Sequence, residues 1–288
     1  MSEQKLSIIT PTYNAEKYIR KCILSVASQS YTNKEHLIID GSSTDQTLDI
    51  IEKHAAQHPH IRFITEKDNG IYDAMNKGIG LSDSDWLYFL GSDDVLLDNR
   101  VFTDILKSSE AEISDVVYGN VQWGQEGFAY DGEFSCLKLM EKNICHQSIF
   151  FRKTVFDRLG LFNVRYKVLA DWEFNMRWFG NPHIRKKYLD RIIALYQPGG
   201  YSTNNKDQLF LHDKENLIRK SFPEEFVTMF YAHVSTALSE QQKHIEWLNM
   251  ALQQRDEELR SIYRTPAGLF IKLYKHYRKK RSGNAQRN

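Results

Sequence analysis

Trp86-Leu87-Tyr88-Phe89-Leu90-Gly91-Ser92-Asp93-Asp94 is the stretch from which the fold is read: an unbroken apolar run that stops abruptly on glycine, serine and two carboxylates. A run of that length closed by a turn reads as a strand buried on both faces, the pattern of parallel strands covered by helices. Two ionised carboxylates at its end repel each other unless a cation or hydrogen-bond donors offset them. A divalent metal is the natural partner. Oxygen ligands suit Mg²⁺ or Mn²⁺, which bind through one or two carboxylates and take their other ligands from phosphates and water. Asp-Asp pairs are also frequent in plain surface turns, so it is the strand in front that carries the metal reading.

Upstream, three more strand-turn-helix units precede this one. Leu6 to Thr10 reads as a strand, Pro11-Thr12-Tyr13-Asn14 as a turn, and Ala15 to Ser28 as a helix with Ile19, Ile23 and Val26 on one face. Leu37 to Asp40 leads through Gly41-Ser42-Ser43-Thr44 into a helix carrying Leu48 and Ile51. Ile61 to Thr65 leads through Asp68-Asn69-Gly70 into a short helix through Met75. Strands alternating with amphipathic helices make an α/β fold with a parallel sheet. Ligands of such sheets sit beyond the carboxyl ends of the strands, so the turns at Asp40, Asp68 and Asp93-Asp94 are expected to line one cleft.

Beyond residue 114 the alternation fades. Val116 to Val121 and Ser148 to Phe151 still read as strands, and Gly124 to Gly132 as a hairpin or loop. Residues 224–263 read as a long helix with Leu238, Ile245, Leu248, Leu252, Leu259 and Ile262 on a seam interrupted at Gln241 and Arg255. That seam could form a homodimer or fold back on its own domain. Thr265-Pro266 opens a second helix whose face of Leu269, Phe270, Leu273, Tyr274 and Tyr277 is flanked by Lys272, Lys275, Arg278 and Lys279.

The chain has 288 residues, 41% of them apolar, enough for one sizeable core and an appended element. No apolar run approaches the ~20 residues of a membrane span, and no signal-peptide pattern opens the sequence, so a cytoplasmic protein is expected. The net charge of +1 hides a basic end, since residues 272–288 carry seven Lys/Arg and no acid. Residues 265–281 could therefore lie on an anionic membrane face or pack as a solvated helix. Nucleic acid is the weaker partner, because the rest of the chain is acidic and lacks a binding motif. Cys22, Cys136 and Cys145 fit no ligand or redox spacing and read as reduced core thiols.

Over about residues 5–205 the sequence resembles the inverting family 2 glycosyltransferases of the bacterial cell-surface polysaccharide type. The blocks that carry the resemblance stand in the family's order: Leu6 to Asn14, Ile39-Asp40-Gly41-Ser42-Ser43-Thr44-Asp45, Asp68 to Gly78, and Phe89 to Asp94. The resemblance implies a GT-A fold: a Rossmann-like, mostly parallel sheet flanked by helices, here with a helical C-terminal extension. Residues 1–220 would be the catalytic domain, with its nucleotide-sugar half at about 1–114 and its acceptor half at about 115–220. Residues 221–288 would form the extension. It further implies that Pro11, Thr12, Tyr13 and Asp40 hold the base of a UDP-sugar and that Asp93 touches the ribose or shares a Mn²⁺ or Mg²⁺ ion bound by Asp94. Asp68 belongs to the same donor site, and Lys77 could reach a phosphate or stay solvated. Two departures stand out: Asp40-Gly41-Ser42-Ser43-Thr44-Asp45 where the family commonly has Asp-Asp-Gly-Ser-Thr-Asp, and Ser82-Asp83-Ser84-Asp85 where Ala and Gly are usual. The first leaves Asp45 open between a site role and a helix cap.

Inversion needs a general base for the acceptor hydroxyl. Leu169-Ala170-Asp171-Trp172-Glu173-Phe174 resembles the family's late acidic motif, which makes Asp171 the base and Glu173 the alternative. Both also read as ordinary first-turn helix acids. Glu173 with Arg177 reads as a helix ion pair, His146 as a structural histidine or an acceptor contact, and Gly199-Gly200-Tyr201-Ser202-Thr203 as a loop near the diphosphate or a plain turn. The expected activity is hexose transfer from a UDP-sugar to a hydroxyl of a polysaccharide or a lipid-linked saccharide precursor. The alternatives are a catalytically silent nucleotide-binding scaffold, and a nucleotidyltransferase, for which no Gly-rich phosphate loop is present.

Overall fold

A computed structural model describes residues 3–124, 127–196 and 205–264, together with 270 and 274. Two compact units result, Met1–Thr228 and Met229–Asn288.

In the first unit β1 (Leu6–Thr12), β2 (Lys34–Asp40), β3 (Ile61–Thr65) and β4 (Trp86–Phe89) alternate with α1 (Ile19–Ala27), α2 (Thr47–Ala55) and α3 (Ile71–Leu81). All pairings among these four strands are parallel, in the order β3-β2-β1-β4. Every residue of β1 and β4 is buried, which is why both read as continuous apolar runs. Ile19, Cys22, Ile23 and Val26 form the buried stripe of α1, at the three- and four-residue spacing that a helix covering a sheet needs. On α3 a close approach sets the fit: a methyl at Gly78 would lie 2.4 Å from Cγ2 of Ile9, so only glycine lets this helix sit so close to β1.

β5 (Val95–Leu96), α4 (Val101–Leu106) and α5 (Ser109–Ile113) connect to β6 (Val116–Trp123) and β7 (Ala129–Tyr130), an antiparallel hairpin where the glycine-rich stretch suggested one. α6 (Cys136–Glu141), β8 (Ile149–Arg152), α7 (Lys153–Leu159), α8 (Ala170–Phe179) and β9 (Lys186–Tyr196) complete the sheet. β8 joins β4 antiparallel and also pairs antiparallel with β6, while β9 lies parallel to β6 and antiparallel to β5. The parallel character therefore belongs to the first four strands, and the half beyond β4 is mixed. The core at the junction is aromatic: Tyr88 stacks on Phe150 at 4.5 Å, and Phe156 on Phe174 at 4.5 Å.

Helix Gln208–Ser221 follows, with Asp207 capping it by accepting from the Phe210 amide. A long helix, Glu224–Arg264, runs 41 residues and includes Gln241 and Arg255, where the apolar seam is interrupted. The basic helix expected over 265–281 and the Gly199–Thr203 loop lie outside the described residues. No described helix is long and apolar enough to cross a membrane. Cys22, Cys136 and Cys145 are free thiols.

Candidate active site

The strand order reverses at β1, which has β2 on one side and β4 on the other. The crevice beyond the carboxyl ends of those strands is where open α/β sheets hold ligands. Three of the sequence-derived turns meet around it. The Leu90 amide donates to the Ile9 carbonyl at 3.1 Å, tying the Gly91–Asp94 turn to the end of β1. The Gly41 amide donates to the Thr12 carbonyl at 2.8 Å, tying the Asp40 turn to its other side.

Asp93 and Asp94 both fold back over Gly91. A methyl there would stand 2.8 Å from Asp94 Oδ2 and 2.9 Å from Asp93 Oδ1, so the two carboxylates converge on the space a side chain would fill. Asp94 is buried and Asp93 partly exposed. Among the described residues no group of three or more His, Cys, Asp or Glu side chains is placed to hold a metal. The two carboxylates fit an ion that draws most of its ligands from a substrate diphosphate, the mode usual for Mg²⁺.

Asp40, at the end of β2, is fully buried and accepts from both the amide and the hydroxyl of Ser43. Thr12 is buried beside it, whereas Tyr13, directly after β1, is 62% exposed. Pro11 lies within β1, paired in register with Ile39. Asp68 crosses to this loop: its Oδ2 would be 2.5 Å from a methyl on Gly41, and its Oδ1 accepts from the Gly70 amide at 2.9 Å. Lys77, on α3, reaches back to the segment between β3 and α3, ion-paired with Glu66 at 2.9 Å and donating to the Lys67 carbonyl at 2.9 Å. Asp45 accepts from the amides of Thr47 and Glu16, which supports its capping role at the start of α2.

Asp171 opens α8 and is 7% exposed. Its Oδ1 accepts from the Tyr72 hydroxyl at 2.8 Å and the Trp172 amide at 2.9 Å, and its Oδ2 from the Asn143 side chain at 2.9 Å. His146 Nδ1 lies 3.8 Å from the same Oδ2. Burial raises the Asp171 carboxyl above the ordinary aspartate range, against the opposing pull of His146, Tyr72, Trp172 and Asn143. A carboxylate lifted in this way is a stronger base at neutral pH. His146 is pushed down by burial, with Asp171 and then Asp93 pulling it up, so it stands in the field of both acidic groups. It precedes β8, whose antiparallel course brings its start beside the end of β4; there the Tyr88 hydroxyl donates to the Gln147 carbonyl at 2.8 Å.

Glu173 lies two residues further along α8, on a different side of the helix, and is occupied differently. Arg177 pairs with both of its oxygens, at 2.9 Å each, and also donates to the carbonyls of Leu159 at 2.6 Å and Leu161 at 2.7 Å. Arg177, held in place by Glu173, thus ties α8 to the end of α7.

Four residues around this site carry no assignment from the sequence. Tyr72 reaches Asp171 from α3, and its hydroxyl is also 2.7 Å from the Val168 carbonyl. Asn143 joins Asp171 to Asn175, whose side chain donates to Asn143 Oδ1 at 2.8 Å. A tyrosine on the buried face of α3 is the one signal, since a buried phenol needs a hydrogen-bond partner. Asp207 adds support by accepting from the Val168 and Leu169 amides at 2.9 and 3.2 Å, which fixes the entry to α8.

Solved structures share this architecture. Staphylococcus aureus TarS (residues 1–349), in a complex with UDP, superposes with a TM-score of 0.64 at 20% identity, covering 79% of this chain and 70% of that one. The mannosyltransferase PcManGT of Pyrobaculum calidifontis, in complex with GDP-Man and Mn²⁺, superposes with a TM-score of 0.61 at 15% identity over 99% of this chain and 85% of that one. The fold is GT-A, the α/β architecture of one broad class of sugar-transferring enzymes. A "PGL/p-HBAD biosynthesis glycosyltransferase" of Mycobacterium bovis is 40% identical over 215 residues, 73% of this chain and 84% of that protein. The family model for glycosyl transferase family 2 matches residues 7–193, and the chain belongs to that family.

Proposed function

We propose that the protein is an inverting, metal-dependent glycosyltransferase that moves a hexose from a UDP-sugar to a hydroxyl of a polysaccharide or of a lipid-linked saccharide precursor. The observation that carries the reading is the division of the acidic groups. Asp93 and Asp94 converge at the switch point of the sheet, while Asp171 is held apart by Tyr72 and Asn143 with a raised proton affinity. UDP as the nucleotide is supported by the TarS complexes with UDP and UDP-GlcNAc, and a metal by the Mn²⁺ complex of PcManGT. Residues 1–114 form the donor half and 115–220 the acceptor half, joined at the active site through Tyr72.

Pro11, Thr12, Tyr13, Asp40 and Asp68 frame the nucleotide, with the exposed Tyr13 ring available to stack on the base. Asp94 and Asp93 would hold the divalent ion, which neutralises charge building on the departing diphosphate. Asp171 takes the proton of the acceptor hydroxyl as its oxygen bonds to the anomeric carbon. The bond from that carbon to the diphosphate breaks, and the electron pair leaves with UDP. The basic segment 265–281 would hold the enzyme at the inner membrane face, beside a lipid-linked acceptor; deleting 265–288 should then abolish binding to vesicles containing anionic lipid.

The deciding experiment is binding and turnover of a panel of nucleotide sugars with Mn²⁺, Mg²⁺ or chelator. One UDP-sugar should act only with metal. Asp94→Ala should abolish this, and Asp171→Asn should keep donor binding while kcat falls by about 10²–10⁴. Binding by no nucleotide sugar under any metal condition would refute the proposal.

A further inference from the structure

The helix Glu224–Arg264 carries a repeat that none of the chemistry above uses. Leu238, Ile245, Leu252 and Leu259 recur every seven residues, and Gln241, Leu248, Arg255 and Ile262 occupy the intervening positions of the same repeat. A straight α-helix repeats every 3.6 residues, so an apolar row kept at 3.5 drifts around it unless the helix supercoils with another. Residues 238–262 hold this pattern over more than three heptads, roughly 37 Å of helix at 1.5 Å per residue. The row is uncovered in the single chain: Leu238 is 60% exposed, Ile245 51%, Leu248 42%, Leu252 66% and Leu259 45%. Every other described helix is much shorter, the next being Gln208–Ser221 with 14 residues.

We propose that residues 238–262 form a parallel, in-register coiled coil with a second copy of this chain. Two features fit a like helix. In that arrangement the pairs flanking the seam over residues 237–256 are Ala237 with Gln242, His244 with Asn249 and Ala251 with Asp256, and none opposes two like charges. The polar seam residues also suit self-pairing. Gln241 meets its own copy, amide to amide; Arg255 meets its own copy as a like charge, which Asp256 and Glu258 beside it offset. Such polar layers fix register at some loss of stability.

Light scattering and sedimentation of the full chain over a range of concentrations test this. The expected result is twice the chain mass, with Ile245→Asp/Leu252→Asp monomeric and Lys243→Asp, off the seam, still dimeric. Circular dichroism must show the double variant folded. Gln241→Leu supplies the opposite sign and should lower the dissociation concentration at least tenfold. A monomeric wild type at every concentration, which would leave residues 265–288 or another protein to cover the row, overturns the proposal. So does a dimer indifferent to both seam changes.

Discussion

At the scale of single residues, the site turns on what surrounds each carboxylate. Tyr72 donates to Asp171 and thereby favours its ionised form, while burial works the other way. Tyr72→Phe removes the donor, so the Asp171 carboxyl should rise further and the acid limb of the kcat/KM profile should move to higher pH. A limb that stays in place would show that another group titrates there. Glu173→Gln separates the two acids of α8. Loss of its charge leaves the Arg177 guanidinium without its counter-ion, so the melting temperature should fall while kcat stays within an order of magnitude of wild type. The acids themselves were legible, because Asp93-Asp94 follows a buried strand and Asp171 sits in a recognisable motif. Their partners were not. Tyr72 stands 99 residues from Asp171, and no local pattern announces a contact across that distance.

Elements show the same division. β1, β2 and β4 declare themselves as apolar runs since helices cover both of their faces. β9 does not, because Lys186-Lys187-Tyr188-Leu189-Asp190-Arg191 alternates only loosely between polar and apolar and is largely half-buried. Backbone fit at the turns and helix faces is likewise invisible in sequence. It makes two glycines informative. Gly91→Ala forces a methyl into the space where Asp93 and Asp94 meet, so the metal concentration for half-maximal activity should rise several-fold with little change in melting temperature. Gly78→Ala acts elsewhere, pushing α3 away from Ile9; overpacking of this kind costs about 1–3 kcal/mol, readable by urea denaturation.

For the whole molecule, strand order does what no single motif can. The reversal at β1 brings the turns of β1, β2 and β4 to one crevice, and β8 returns antiparallel to add the segment around His146. A ligand that binds only this assembled crevice must stabilise it against unfolding. UDP at 100 times its Kd, with Mn²⁺ present, should add about 2.7 kcal/mol to wild type, and the gain should vanish in Asp94→Ala. An equal gain in the variant would place the nucleotide elsewhere. The parallel half of the sheet was readable from its repeating units, whereas the mixed half depends on long-range pairings that leave no periodic trace.

The seclusion of Asp171 has a consequence for the lifetime of bound donor. With 7% of its surface open and three donors already pointed at it, the carboxylate offers one narrow opening, and a hydroxyl is used there only when something holds it in place. An acceptor must arrive carrying its own hydroxyl to the right place. Without one, donor hydrolysis should run far slower than transfer, and the activated sugar should wait intact on the enzyme.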